Sequence, residues 1–233
     1  MAVSIGPRAQ GKSIKRFALP SSRLRQAVGC VNVDLLIVCA DIGSVARGNF
    51  GWWTSDGEGG VLPSELSKIV ASAIQSNRPV ALGFECPLFI PLNNDETKLT
   101  CARAGEGNRP WSAGAGCGAL TTGLAQVAWV LRAIKQPLDP VCSAYLDWRE
   151  FCAASRGLFL WEAFVSAKAK ASSHVKDAEV AVKAFAASLP DPVVRNAVWC
   201  KPPVHSLIGA AMLRTGWSTN VAVLEQPCLV LKA

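Results

Sequence analysis

The chain has 233 residues, half of them hydrophobic, which is enough to bury a full core and too apolar for a disordered segment. Its nine cysteines include no Cys-x-x-Cys pair, which argues against a disulfide scaffold or a zinc ribbon and points to a reducing, cytoplasmic setting. The longest uninterrupted apolar run, LLIVCA, is too short for a bilayer and no secretory signal is legible, so no membrane is expected.

The formal net charge of +7 is uneven. Arg8, Lys12, Lys15, Arg16, Arg23 and Arg25 all precede the first acid, Asp34, so residues 1–30 read as a basic arm and residues 31–233 as one folded domain. Such an arm can lie along a nucleic-acid backbone. It can equally be a solvated leader, and its Arg-rich, acid-free composition also permits an organelle-targeting segment.

VDLLIVCADIG then reads as a buried strand whose polar end reaches a site, and NFGWWTS as a second, antiparallel strand. Trp52 and Trp53 would face opposite sides of it, one of them exposed. A third strand of the meander falls within GEGGVL. Pro63 and Ser64 open a helix with Leu66, Ile69, Val70 and Ala73 as its buried stripe, stopped at Asn77-Arg78-Pro79. PVALGFECPL is the next buried strand. A long Gly-rich connection runs from about Asn93 to Gly118. Leu120, Leu124, Val127, Leu131 and Ile134 then mark the clearest helix, at alternating spacings of four and three.

VCSAYLDWREFCAAS is expected to be a further helix and GLFLWEAFVS a third buried strand. Ser172 and Ser173 can cap a helix from His174, with Val175, Ala178, Val182, Phe185 and Leu189 inward. The tail adds a helix ending at Gly216 and one or two strands in NVAVLEQPCLVLKA. The sum is an α/β fold: a mixed five-stranded sheet with helices on both faces, plus a C-terminal helix and strand extension.

Three apolar segments each deliver a carboxylate. Asp41 ends the first strand, Glu85 ends PVALGFE, and Asp177 lies in the first turn of a late helix, one turn after His174. Residues three apart share a helix face, so His174 and Asp177 can address one site. Singly, each acid has a plain structural use as a turn residue or a helix-dipole partner. Together they suit Mg²⁺ or Mn²⁺, which prefer oxygen ligands and tolerate an imidazole.

At these residues the chain resembles the ribonuclease H-like nucleases, with an acid at the end of the first strand, another at the end of the fourth, and a third on a later helix. His174-Val175-Lys176-Asp177 is similar to the acidic helix of RuvC-type junction resolvases. A closer likeness is to an uncharacterised family of predicted nucleases with this fold. There Glu85-Cys86-Pro87-Leu88 corresponds to an acid-x-Pro-Leu turn and Trp161-Glu162-Ala163-Phe164 to a Glu-bearing strand. The resemblance implies metal-assisted hydrolysis of a phosphodiester. Asp41 would bridge ions, Glu85 and Asp177 would complete the shell, His174 would be a ligand or proton carrier, and Glu162 would be a further metal candidate. Glu179, two positions from Asp177, is expected to face water.

The loop CARAGEGNRPWSAGAGCG offers Arg103, Arg109 and Trp111 as contacts to phosphate and base, and Gly114, Gly116 and Gly118 as an approach to an anion. His205 reads as a cap or surface residue, and Cys86 as packing beside Glu85. Two other functions fit the same fold. Asp41-Ile42-Gly43-Ser44 resembles the first phosphate loop of ATP-binding actin and sugar-kinase domains, although no second Asp-x-Gly loop follows. A binding protein that has lost its chemistry is the other.

Overall fold

A computed structural model describes residues 34–165 and 169–233; the basic arm lies outside them. β1 (Leu36–Asp41) is buried at every position, as a strand covered on both faces must be. β2 (Gly51–Thr54) runs antiparallel to it, and the short β3 (Gly59–Gly60) antiparallel to β2. α1 (Pro63–Gln75) starts on its proline and ends just before Asn77, which takes the left-handed conformation that turns the chain toward β4 (Val80–Glu85). β4 lies parallel to β1 and pairs Asp41 with Glu85.

β5 (Phe89–Pro91) and β8 (Val204–Ser206) form a small antiparallel sheet of their own, which the pattern of the sequence did not announce. α2 spans Gly114–Lys135. β6 (Ala144–Tyr145), α3 (Trp148–Ala154), β7 (Leu158–Phe164) and α4 (His174–Ala186) follow. α5 (Leu207–Thr215) ends at Gly216 in the left-handed region, and β9 (Leu229–Lys232) completes the main sheet.

That sheet is mixed and has seven strands, not the five expected. Its order is β3-β2-β1-β4-β7, with β6 and β9 both parallel to β7: β6 beside Leu158–Phe159, β9 beside Trp161–Phe164. The tail strand is therefore part of the sheet rather than an extension. The second additional strand comes from a segment expected to be helical throughout. Asp147 accepts hydrogen bonds from the backbone N–H groups of Arg149 and Glu150, so the helix begins only there and leaves Ala144–Tyr145 free to pair.

Alternation along the strands builds two cores. Leu36, Val38, Ala40, Leu82 and Phe84 face α1, α2 and α5, where they meet Leu66, Val70, Leu131 and Ile208. Ile37, Cys39, Phe159 and Trp161 face α3 and α4, where they meet Trp148, Phe151, Ala178 and Phe185. Trp161 stacks obliquely on Phe185 at 4.8 Å between centroids, and Gly83 leaves the space that its indole fills.

α2 departs from its expected stripe. Val127, Leu131 and Ile134 are buried, but Leu124 is 54% exposed, and in its turn the buried residue is Gly123, set against Cys86. No charge interrupts α2 from Gly114 to Leu131, and among the described residues it is the one helix that is long and apolar enough, by length and composition alone, to cross a membrane. Trp53 is half-buried under Lys176, while Trp52 is fully buried. Seven cysteines among the described residues are free thiols; Cys152 is disulfide-bonded, which departs from the reducing setting expected from the cysteine spacing.

Candidate metal centre

Asp41 and Glu85 are register partners at the ends of adjacent parallel strands, so their side chains leave the sheet side by side on the α4 face. α4 brings the third acid. Ser173 caps it by accepting from the Lys176 N–H, and the helix starts at His174 directly over Gly51. A Cβ at Gly51 would collide with the backbone of His174 and Val175. The missing side chain is what lets the first turn of α4 settle against β2. Gly51 is also the cross-strand partner of Asp41, so the same contact sets His174 Nδ1 2.6 Å from Asp41 Oδ2.

One ligand oxygen from each of Asp41, Glu85 and Asp177 lies within 4.8 Å of the others. All three side chains are nearly buried, and between them sits a cation from their own chain. Lys170 Nζ lies 2.9 Å from Asp177 Oδ2, 3.1 Å from Glu85 Oε1 and 3.7 Å from Asp41 Oδ2. The neighbouring Ala171 N–H donates to the second oxygen of Asp177 at 2.6 Å. Nothing in the Ala/Lys-rich stretch before the helix singled Lys170 out.

Burial sets the electrostatics. It pushes Asp41 up to about 6, with Lys170 pulling the other way. It pushes Glu85 up to about 8, reinforced by the Asp41 charge and opposed by Lys170. For Lys170 burial would lower the pKa, but the carboxylates of Glu85, Asp177 and Asp41 outweigh it and raise it. Three acids against one ammonium leave the pocket short of positive charge. That deficit, with an all-carboxylate donor set, is what a metal ion would satisfy.

No protein-family model, curated protein or solved structure matches this chain.

Glu162 is not part of the cluster. It sits one position out of phase on β7, pairs with Phe84 rather than Glu85, and so points to the opposite face of the sheet. There both of its oxygens are taken by the Arg103 guanidinium, at 2.6 and 2.8 Å, and Oε2 also accepts from the Leu88 N–H. Arg103 binds Glu106 through Nε at 2.9 Å and the Phe89 carbonyl through Nη1. Its side chain has no exposed surface, so the expected phosphate contact is corrected to a buried ion triad.

The same triad ties down the long loop. The Trp111 N–H donates to Glu106 and its indole to the Cys101 carbonyl, and Arg109 donates to the Val165 carbonyl at 2.6 Å. Arg109 and Trp111 thus have structural partners of their own. The glycines from Gly114 lie within the first turns of α2 rather than before it, and Gly116 admits the Pro110 carbonyl. Glu179 pairs with Lys176 and Lys183 on the outer face of α4, away from the centre. His205 is exposed on β8, and the adjacent Ser206 caps α5.

Beside the carboxylates opens a cleft of about 480 Å³, lined among others by Asn49, Phe50, Lys170, Ser173, His174 and Asp177. A second cavity of about 540 Å³ lies at the other end of the strands, near Ile74, Tyr145 and Gly157, and holds none of the three acids.

Proposed function

We propose that this chain is a divalent-metal-dependent nuclease of the ribonuclease H-like class, hydrolysing phosphodiester bonds in the cleft beside Asp41. The observation that carries the reading is the convergence of Asp41, Glu85 and Asp177. They come from the ends of the first and fourth strands and the start of a later helix, the pattern that the sequence resemblance calls for.

The three carboxylates would hold Mg²⁺ or Mn²⁺ through oxygen alone. A divalent ion held there supplies Lewis-acid activation of water and charge stabilisation at the leaving oxygen. The protein supplies the remainder. Asp41 orients His174 through Nδ1, which leaves Nε2 to exchange a proton with a group in the cleft, where the ring is 35% exposed. Burial of the acids keeps bulk water from screening them, so their attraction for a cation held between them is stronger than at the surface.

Asp41→Asn tests the reading, because it keeps the shape and removes one charge. Purified wild-type protein is expected to cleave single-stranded, duplex or branched polynucleotide in Mg²⁺ or Mn²⁺ without ATP. The variant is expected to fall to background while its metal-free melting temperature stays equal or rises. Wild-type protein that cuts none of these substrates in either ion, and gains no thermal stability from them, overturns the proposal.

A further inference from the structure

Lys170 has no place in the nuclease reading as described, yet its ammonium is the group on which all three carboxylates close. It reaches Asp177 at 2.9 Å, Glu85 at 3.1 Å and Asp41 at 3.7 Å. A divalent ion bound to the same oxygens would sit roughly 2.0–2.6 Å from each of them. Because the ligand oxygens themselves lie within 4.8 Å of one another, such an ion would be in contact with Nζ where it now stands. Two positive centres cannot share that space, and the carboxylates cannot satisfy both. Either the ion stays out or the ammonium leaves.

The surroundings show where it can go. The Lys170 side chain is 34% exposed and already lines the cleft of about 480 Å³, so rotation about its own four-carbon stem carries Nζ from the carboxylates into open solvent. The neighbouring backbone need not follow. The Ala171 N–H holds Asp177 Oδ1 at 2.6 Å independently of the ammonium, so the acid stays aimed at the centre while its second oxygen is released.

We propose that Lys170 is a resident counter-cation, which holds the carboxylate cage together without metal and is exchanged for a divalent ion on loading, its ammonium passing into the cleft. This rests on the reading of Asp41, Glu85 and Asp177 as a metal centre. It assigns Lys170 two positions: neutralising the cage when empty, and facing the polyanionic substrate when loaded. Metal affinity is set in part by the strength of the internal ion pairs that must be broken. A free ammonium in the cleft would add a phosphate contact only once the site is charged.

Mn²⁺ titration of wild-type protein and Lys170→Met, with melting curves in parallel, provides one test. The variant is expected to bind Mn²⁺ about tenfold tighter or more, since no cation has to leave. It is also expected to melt at a lower temperature than wild type without metal, and to gain more from the ion. Site-resolved acylation of wild-type lysines provides the second, and does not depend on the variant folding. Lys170 labelling should rise when Mn²⁺ is added, while Lys183, exposed on the outer face of α4, stays constant. Equal or weaker Mn²⁺ binding by a folded Lys170→Met, or Lys170 labelling that is unchanged or falls with the ion bound, overturns the exchange and leaves the metal centre standing. Absence of Mn²⁺ binding in both proteins overturns the metal centre and the exchange together.

Discussion

Asp41 and Glu85 carry ordinary carboxyl values of 3.8 and 4.5 when solvated, and burial in the fold moves them to about 6 and about 8. The folded state therefore keeps protons that the unfolded chain releases. Stability of the metal-free protein is then fullest below about pH 4 to 5 with respect to these two groups, and is lost as pH rises through 6 and 8. The expected loss across that window is on the order of a few kcal/mol, read as a falling urea midpoint. Glu85→Gln, which cannot ionise, should flatten the upper part of the curve. A wild-type midpoint that climbs from about pH 5 to about pH 8 contradicts the burial argument. At this scale the sequence revealed the acids, because an unpaired carboxylate closing an apolar run is costly and asks for a reason. It concealed Lys170, because a lysine in a polar stretch looks solvated, and it misassigned Arg103, because an arginine in a Gly-rich loop looks free to meet a phosphate. Only the fold brings partners from distant segments to them.

Among the elements, α4 shows how a helix is aimed by a residue it does not contain. Its cap and its inward stripe were legible, with Ala178, Val182 and Phe185 buried as expected. Its docking depends on Gly51, whose importance appears only once β2 is seen beneath His174. Gly51→Ala is expected to lift the first turn of α4, lengthen the His174–Asp41 hydrogen bond and cost about 1–3 kcal/mol by overpacking. Loss of Mn²⁺-induced stabilisation should accompany it, since Asp177 rides on the same turn. An alanine variant with wild-type melting temperature and wild-type response to the ion would show that the close approach is dispensable. Two other elements were misread for one reason: periodicity records which residues are apolar, not which neighbour covers them. Ala144–Tyr145 pairs with β7 instead of extending α3, and Leu124 keeps the helical spacing of α2 while its neighbour Gly123 is the residue buried in that turn.

For the molecule as a whole, the α/β class, the opening antiparallel meander and helices on both faces were legible from segment order. The strand count was not, since two-residue pairings such as β6 leave almost no pattern. Charge is the other property that belongs to this scale. Six basic residues precede the first acid in a chain of formal net charge +7. If they contact nucleic acid, deletion of residues 1–30 should weaken binding and flatten its salt dependence, each lost phosphate contact reducing the log–log slope by about 0.7–0.9. An unchanged slope would leave the arm as a solubility feature.

β9 has a further consequence, which concerns the order in which the chain is made. It is the strand that covers Trp161–Phe164 of β7, the stretch holding Glu162 and, through it, Arg103 and the long loop. On the ribosome β7 emerges well before β9. During that interval of elongation the nascent sheet presents an unpaired, largely apolar edge, the kind that pairs readily with another chain. Translation that stalls between Asp177 and Leu229 would strand the protein in that condition, with all three carboxylates of the cluster already synthesised and the sheet still open.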